Sequence, residues 1–337
     1  MKSAKFFLVL PLFLFCFQTA KADWVKQNAN SLAWFHDVYF LTENKGWIAG
    51  SGGTLLMTVD GGKTWKQETN FTEDNIRQIY FTSENDGWLL CERDIYSLGS
   101  FAPSYLLKTS NGGANWERIE FAGNRRERIA KIFFSKKGLG AAIGERGAYF
   151  LLQDDKKTWK KMPSPVRYLM LDGVFTDDFS GAMVGAGGAI FFTEDAGWSW
   201  NKSNVPDNAN VKLNSVFFIN QKIGWTVGTR GKIYQTFNGG KVWREQNSAT
   251  VKDLTAVFFR NTAEGWAVGE EGLILHTTTA GNIWTIVESK AKHKLEKIFF
   301  FNKKGWAVGF GGTILSYNEG AAKNDASAML PKLRLRN

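Results

Sequence analysis

The chain has 337 residues, 44% of them hydrophobic and 22% charged, with a formal net charge of +10. This is the composition of a globular protein rather than a disordered one, and no apolar run reaches the length of about 18 residues that an ordinary membrane-spanning helix needs. Thirty-five glycines and fourteen tryptophans against six prolines point to repeated β-structure with tight turns. Three scattered histidines, His36, His276 and His293, give no zinc-ligand spacing and a poor start for a Ser-His-Asp triad.

The first element in chain order is an export signal. Lys2 and Lys5 precede an apolar stretch from Phe6 to Phe17, too short to span a bilayer, and Ala20-Lys21-Ala22 supplies a small-x-small cleavage pattern. Residues 1–22 therefore read as a signal peptide cleaved after Ala22. The mature chain starts at Asp23, with 315 residues and, without Lys2, Lys5 and Lys21, a formal charge of +7. Leu14-Phe15-Cys16 lacks the small residues of a bacterial lipoprotein site. The mature chain keeps one cysteine, Cys91, so no internal disulfide can form.

From residue 23 to 320 the chain is a sevenfold repeat. Gly46-Trp47-Ile48-Ala49-Gly50 recurs as Gly224-Trp225-Thr226-Val227-Gly228, Gly265-Trp266-Ala267-Val268-Gly269 and Gly305-Trp306-Ala307-Val308-Gly309, with weaker copies starting at Gly87, Gly140 and Gly181. The first glycines lie 41, 53, 41, 43, 41 and 40 residues apart. That period is one four-stranded propeller blade. A phenylalanine stands six residues before the glycine (Phe40, Phe81, Phe134, Phe175, Phe218, Phe259) or five before it (Phe300), inside a run that reads as a buried strand. The expected fold is all-β: a seven-bladed β-propeller with four antiparallel strands, A to D, per blade. Cys91 replaces the strand-end glycine seen at Gly50 and reads as a packed thiol.

A second phrase follows, clearest at Thr58-Val59-Asp60-Gly61-Gly62-Lys63-Thr64-Trp65. Its tryptophan lies 19 residues after the first glycine in five copies and 29 after it in the second. This is an Asp-box. Asp60, Asn111, Asp154, Asp195 and Asn238 are placed to accept backbone hydrogen bonds that close the turn, and Gly62, Gly113, Gly197, Gly240 and Gly281 suit positive φ. Repetition at one structural position makes these residues turn builders rather than catalytic carboxylates. The seventh copy lacks the tryptophan. Trp24 precedes Phe40 by 16 residues, as Trp65 precedes Phe81, so the mature N-terminus is expected to supply the outer strand of the last blade and close the ring.

Antiparallel strands put alternate turns on opposite faces. The Asp-boxes take one face; the B–C turns and the links between blades take the other. One B–C position holds Gly52, Arg93, Arg146, Gly187, Arg230, Glu271 and Gly311. Three arginines there suggest a basic rim. The second blade's insertion, within residues 93–105, adds Tyr96, Phe101 and Tyr105, and the next link adds Arg125, Arg126 and Arg128. Insertions on one face of a repeat protein mark its binding face. Arginine beside aromatics suits an acidic peptide segment.

Tandem Asp-boxes coupled to the Gly-Trp-Ala-Val-Gly phrase resemble the photosystem II stability/assembly factor family, seven-bladed propellers of chloroplasts and cyanobacteria with relatives in non-photosynthetic bacteria. The resemblance covers about residues 23–320. It implies a non-catalytic exported scaffold, in the periplasm or, in a phototroph, the thylakoid lumen. It also implies a membrane-protein complex subunit as partner; phototrophic members bind the newly made reaction-centre protein D1. No cofactor, metal or nucleic acid is expected, and the protein is expected to be a monomer. The alternative is an Asp-box glycoside hydrolase or carbohydrate-binding propeller. Its candidate carboxylates, Asp37, Asp172, Asp177, Asp178 and Asp253, form no recognisable motif, and no sialidase-like Arg-Ile-Pro segment occurs. The basic tail, 321–337, lies outside the repeat and is either disordered or in contact with anionic lipid.

Overall fold

Seven four-stranded antiparallel sheets surround one axis in the computed structural model, which describes residues 24–68, 71–94, 102–123, 126–205 and 211–319. The expected signal peptide, the basic tail, Tyr96, Phe101 and Arg125 lie outside the described residues. In the first blade strands A to D are Phe35–Phe40, Gly46–Gly50, Leu55–Thr58 and Lys66–Gln67, running outward in chain order. The seventh blade has its outermost strand from the other end of the chain: Trp24–Gln27 pairs with Thr313–Asn318, Trp24 opposite Tyr317 and Val25 opposite Ser316. The ring is closed as the tryptophan spacing implies.

The repeated phenylalanine, glycine and two tryptophans form one packing unit. Phe40 ends strand A directly opposite Gly46, and a Cβ on Gly46 would lie 2.5 Å from the Phe40 ring. The glycine is where the ring lies flat on the sheet. The strand-B tryptophan of the preceding blade then stacks on that ring: Trp306 on Phe40 at 3.6 Å between centroids, Trp47 on Phe81 at 4.2 Å and Trp225 on Phe259 at 3.4 Å. The blade's own strand-D tryptophan meets it edge-on, as Trp65 meets Phe40 at 5.9 Å and Trp284 meets Phe259 at 5.8 Å. Trp24 does the same to Phe300, at 5.9 Å and 82°. Phe40, Phe81, Phe134, Phe259 and Phe300 thus each join two blades through stacked and edge-to-face contacts, both favourable geometries for aromatic quadrupoles; before Phe175 and Phe218, strand B carries Ala141 and Ala182 in place of the tryptophan.

The Asp-boxes are closed by their own side chains. Thr58 Oγ1 accepts the Gly62 N–H at 2.9 Å, and Asp60 accepts the Thr64 N–H and hydroxyl at 3.0 and 2.6 Å. These bonds, the Thr64 hydroxyl first, draw the Asp60 carboxyl down to about 2. Asn111, Asp195 and Asn238 repeat the arrangement. The third blade departs from the expectation. Leu152 stands where the other boxes have threonine, so that position offers no hydroxyl to the turn. Asp155 rather than Asp154 closes it, accepting the N–H groups of Lys157 and Thr158 at 2.9 and 2.8 Å.

On the opposite face each regular B–C turn is a single tight turn with its second residue in the left-handed region, φ 54° at Arg146 and 58° at Arg230. The glycine that follows packs against the link to the next blade. A Cβ on Gly53 would lie 1.8 Å from the Thr72 carbonyl oxygen, so only glycine fits. Turn and link are therefore pressed together into one crest per blade. Cys91 is fully buried on strand B of the second blade, and burial pushes its thiol up to about 12.

Candidate functional site

The inner strands line the axis. All seven carry a register shift at the same place, between the first and third residues, as between Phe35 and Asp37 or Leu295 and Lys297. A bulge bends the strand and re-aims side chains. The first residue is buried against the neighbouring sheet, while the second and third line the axial funnel, about 580 Å³ in volume, that opens on the face of the B–C turns and links. Sequence reasoning missed this set because the third positions, Asp37, Gln78, Lys131, Asp172, Ser215, Ala256 and Lys297, share no residue type around the ring.

Three of these residues bind adjacent blades. Asp37 accepts the N–H groups of Val38 and, in the next blade, Ile79, both at 3.0 Å. Gln78 accepts the Ile132 N–H at 2.9 Å and donates to the Ile132 carbonyl at 2.8 Å. Asp172 accepts from Gly173 and Val216 at 3.0 and 2.9 Å and pairs with Lys131 at 3.1 Å. Burial raises the Asp37 carboxyl, against the pull of Lys297 and Lys131. Burial acts the same way on Asp172, but Lys131, Lys297 and the Val216 N–H outweigh it and hold that carboxyl low. Burial and the neighbouring Lys131 lower Lys297. Two of the five carboxylates weighed as glycosidase candidates are thus engaged, Asp37 by two backbone donors and Asp172 by two backbone donors and Lys131.

Above this floor, Arg77 pairs with Glu92 at 2.9 Å and reaches the His36 ring, 3.3 Å from Nε2. Burial, then Arg77 and Lys294, push His36 down to about 3. Trp34 donates its indole N–H to Glu296 at 3.0 Å and packs on Phe310 at 5.5 Å. Trp34, which lies outside both repeated phrases, is therefore a funnel residue. The funnel lining holds six lysines and arginines and seven aspartates and glutamates, so its charge is mixed rather than basic.

The predicted arginines separate into two groups. Arg126, Arg146 and Arg230 are exposed on the funnel face, and Arg128 lines the funnel, 3.4 Å from Glu92. Arg93 is a correction. The second blade's insertion extends the B–C ladder, with Arg93 donating its N–H to Pro103 O, so Arg93 does not occupy a tight turn. It is 6% exposed, paired with Glu120 at 2.8 Å and laid over the Tyr105 ring at 4.5 Å. Tyr105 is likewise a buried residue, 2% exposed, bonded to Thr72 and Asp74, and not a surface anchor.

Among known proteins, the profile described as photosynthesis system II assembly factor YCF48 matches residues 16–98 and 208–296. The Photosystem II assembly protein Ycf48 of Thermosynechococcus vestitus is 36% identical over 63 residues, 18% of each chain, so the match spans less than a fifth of that relative. A solved structure of YCF48 bound to D1 peptide superposes with a TM-score of 0.72 at 22% identity, covering 88% of this chain and 94% of that one. The virginiamycin B lyase of Staphylococcus aureus superposes with a TM-score of 0.74 at 13% identity, covering 88% and 99%, so an enzyme shares the fold.

Proposed function

The chain belongs to the photosynthesis system II assembly factor YCF48 family, and from that membership we propose that it is an exported, non-catalytic scaffold holding an acidic peptide segment of a membrane-protein complex subunit over the mouth of its axial funnel. The observation that carries this reading is the funnel itself, open on the face where Arg126, Arg146 and Arg230 are exposed. A guanidinium holds a carboxylate by two parallel hydrogen bonds, which suits an acidic segment crossing that face. The related YCF48 structure carries a D1 peptide, and a segment of a membrane subunit is the matching class of partner here. Asp37 and Asp172 are structural in this reading, since their oxygens accept backbone N–H groups across blade boundaries. Export through residues 1–22 puts the scaffold in the periplasm, or in the thylakoid lumen of a phototroph.

The test is capture from detergent-solubilised native envelopes, followed by mass spectrometry. The wild-type chain is expected to retain a membrane-complex subunit, less of it as salt is raised. The triple variant Arg126→Glu, Arg146→Glu, Arg230→Glu should melt normally and lose that subunit. Equal capture by wild type and triple variant overturns the proposal.

A further inference from the structure

The links between blades carry a second pattern. Eight residues before the repeated phenylalanine of each inner strand the chain passes over the top of its crest, and the described residues at that place are Leu32, Glu73, Arg126, Arg167, Val251 and Lys292, all exposed. Equivalent positions of a repeat lie at one height, so these side chains form a coplanar ring of tips. Leu32 is 90% exposed and Val251 85%, the two highest values among the exposed large apolar side chains. The fold gives no reason for either. Around the ring, Val251, Lys292 and Leu32 follow one another at the sixth, seventh and first blades, and Phe310 stands beside them, 47% exposed. Across the axis stand Arg126 and Arg167, at the entries to the third and fourth blades, with exposed Tyr168 beside Arg167. Glu73 is the one acidic tip among those described; Glu270 and Glu271, also exposed, lie on the turn that packs against the Lys292 link, and Glu271 is paired with Lys252 at 2.6 Å.

We propose that this ring of tips docks the protein on an anionic lipid surface, with Leu32 and Val251 entering the interface and Arg126, Arg167 and Lys292 meeting lipid headgroups. A peptide crossing the funnel would meet only the tips at its two ends; an occupant that meets Val251, Lys292 and Leu32 together with Arg126 and Arg167 is broad and flat. Stable attachment to a bilayer takes two signals, apolar insertion and a basic surface, and the ring supplies both. The inference rests on the reading of the protein as a scaffold for membrane-protein subunits and adds to it an orientation: the funnel mouth faces the bilayer from which such a segment emerges.

Flotation of the full mature chain with vesicles tests it, using phosphatidylcholine alone and phosphatidylcholine with 30–40% phosphatidylglycerol, a fraction of about one-third chosen to give a clear surface charge. Binding is expected to the anionic vesicles only and to weaken with salt. Leu32→Asn with Val251→Asn, and separately Arg126→Glu with Arg167→Glu, should each lower binding roughly tenfold or more, with melting temperatures unchanged. The opposite face supplies the control, because Phe179 and Trp198 are 64% and 68% exposed there; Phe179→Ser with Trp198→Ser should bind as wild type. Absence of vesicle binding by the wild type, full binding by both tip variants, or loss only in the control overturns the proposal. The vesicles hold no protein and the detergent extract holds no bilayer, so the two proposals fail separately.

Discussion

Replacing Trp24 tests how the ring is closed. The side chain is 1% exposed, edge-on to Phe300 at 5.9 Å and 5.4 Å from Tyr317. A buried tryptophan removes about 150–250 Å² from water, which at roughly 25 cal/mol/Å² is about 4–6 kcal/mol as an upper bound. Large-to-small changes of this kind cost about 3–5 kcal/mol. Since about 1 kcal/mol moves the midpoint of a large domain by roughly 2–4 °C, Trp24→Ala should melt about 6–20 °C lower than the mature wild type. Trp24 Nε1 is buried without a hydrogen-bond partner among the described residues, so Trp24→Phe loses area but relieves an unmet donor and should cost about 1–2 kcal/mol. Val25, next along the strand, is 58% exposed, and Val25→Ala should stay within about 0.5 kcal/mol. Far-ultraviolet circular dichroism and tryptophan fluorescence, followed through the melt, read all three. If Trp24→Ala melts with Val25→Ala, the N-terminal strand does not hold the ring and the reasoning fails. Deleting residues 23–30 goes further by exposing the edge of strand Thr313–Asn318, and should produce aggregation as well as lower stability.

Two further outcomes concern protonation. The Asp60 carboxyl lies at about 2 in the folded chain, below the value of about 3.9 of a free aspartate, so its contribution is complete above about pH 4 and is lost as the pH falls toward 2. Asn111 and Asn238 fill the same place without charge; Asp60→Asn should therefore be nearly neutral at pH 7 and flatten that acid loss, while Asp60→Ala should cost about 0.5–2 kcal/mol, as loss of a cap does. His36 titrates in the folded chain only at about 3, whereas the unfolded chain takes up the proton near about 6.5. Stability is then full above about pH 6.5 and declines from there toward 3, because the unfolded state alone gains the proton. Urea midpoints at pH 7, 5.5 and 4.5 should show a shallower decline in His36→Gln; an identical slope in the variant would remove His36 from the account.

The repeat made the scaffold legible. Each phenylalanine, glycine and tryptophan performs one task seven times or nearly so, and a task repeated at fixed spacing is visible in a single sequence. Closure by Trp24 was legible for the same reason, since the spacing of Trp65 and Phe81 supplies the template. Two local readings went astray where counting residues replaced chemistry. Arg93 has the same offset from its glycine as Arg146, but a lengthened hairpin carries it into the ladder and over Tyr105. Asp154 has the offset of Asp60, but without a threonine hydroxyl at position 152 the turn closes on Asp155. The funnel as a set was not legible, although Asp37, Asp172 and Asp253 were weighed singly as carboxylates. Its residues come from seven different strands, follow no common type around the ring, and face the axis only because a bulge turns them there.

That asymmetry bears on what the funnel can hold. Sevenfold packing needs equivalent residues between the blades, and the aromatic units supply them; nothing in that packing requires Asp37, Lys131 and Ala256 to differ at one and the same place. Positions that depart from the repeat while the repeat is intact around them answer to something other than the fold. The consequence is mechanical as well as chemical. Side-chain bonds to the next inner strand tie the first blade to the second, the second to the third, and the fourth to the fifth, through Asp37, Gln78 and Asp172. Ser215 and Ala256 are too short to make the same reach, so the fifth and sixth blades meet their successors through apolar packing and Asn214 or Thr255, which bond the next strand's first carbonyl. A segment lying across the funnel therefore meets a wall fixed by charged and amide groups on one side and a smaller-lined, less tethered wall on the other. In the binding proposed above, the two directions of an asymmetric peptide would therefore not be equivalent, because its ends would meet unlike walls.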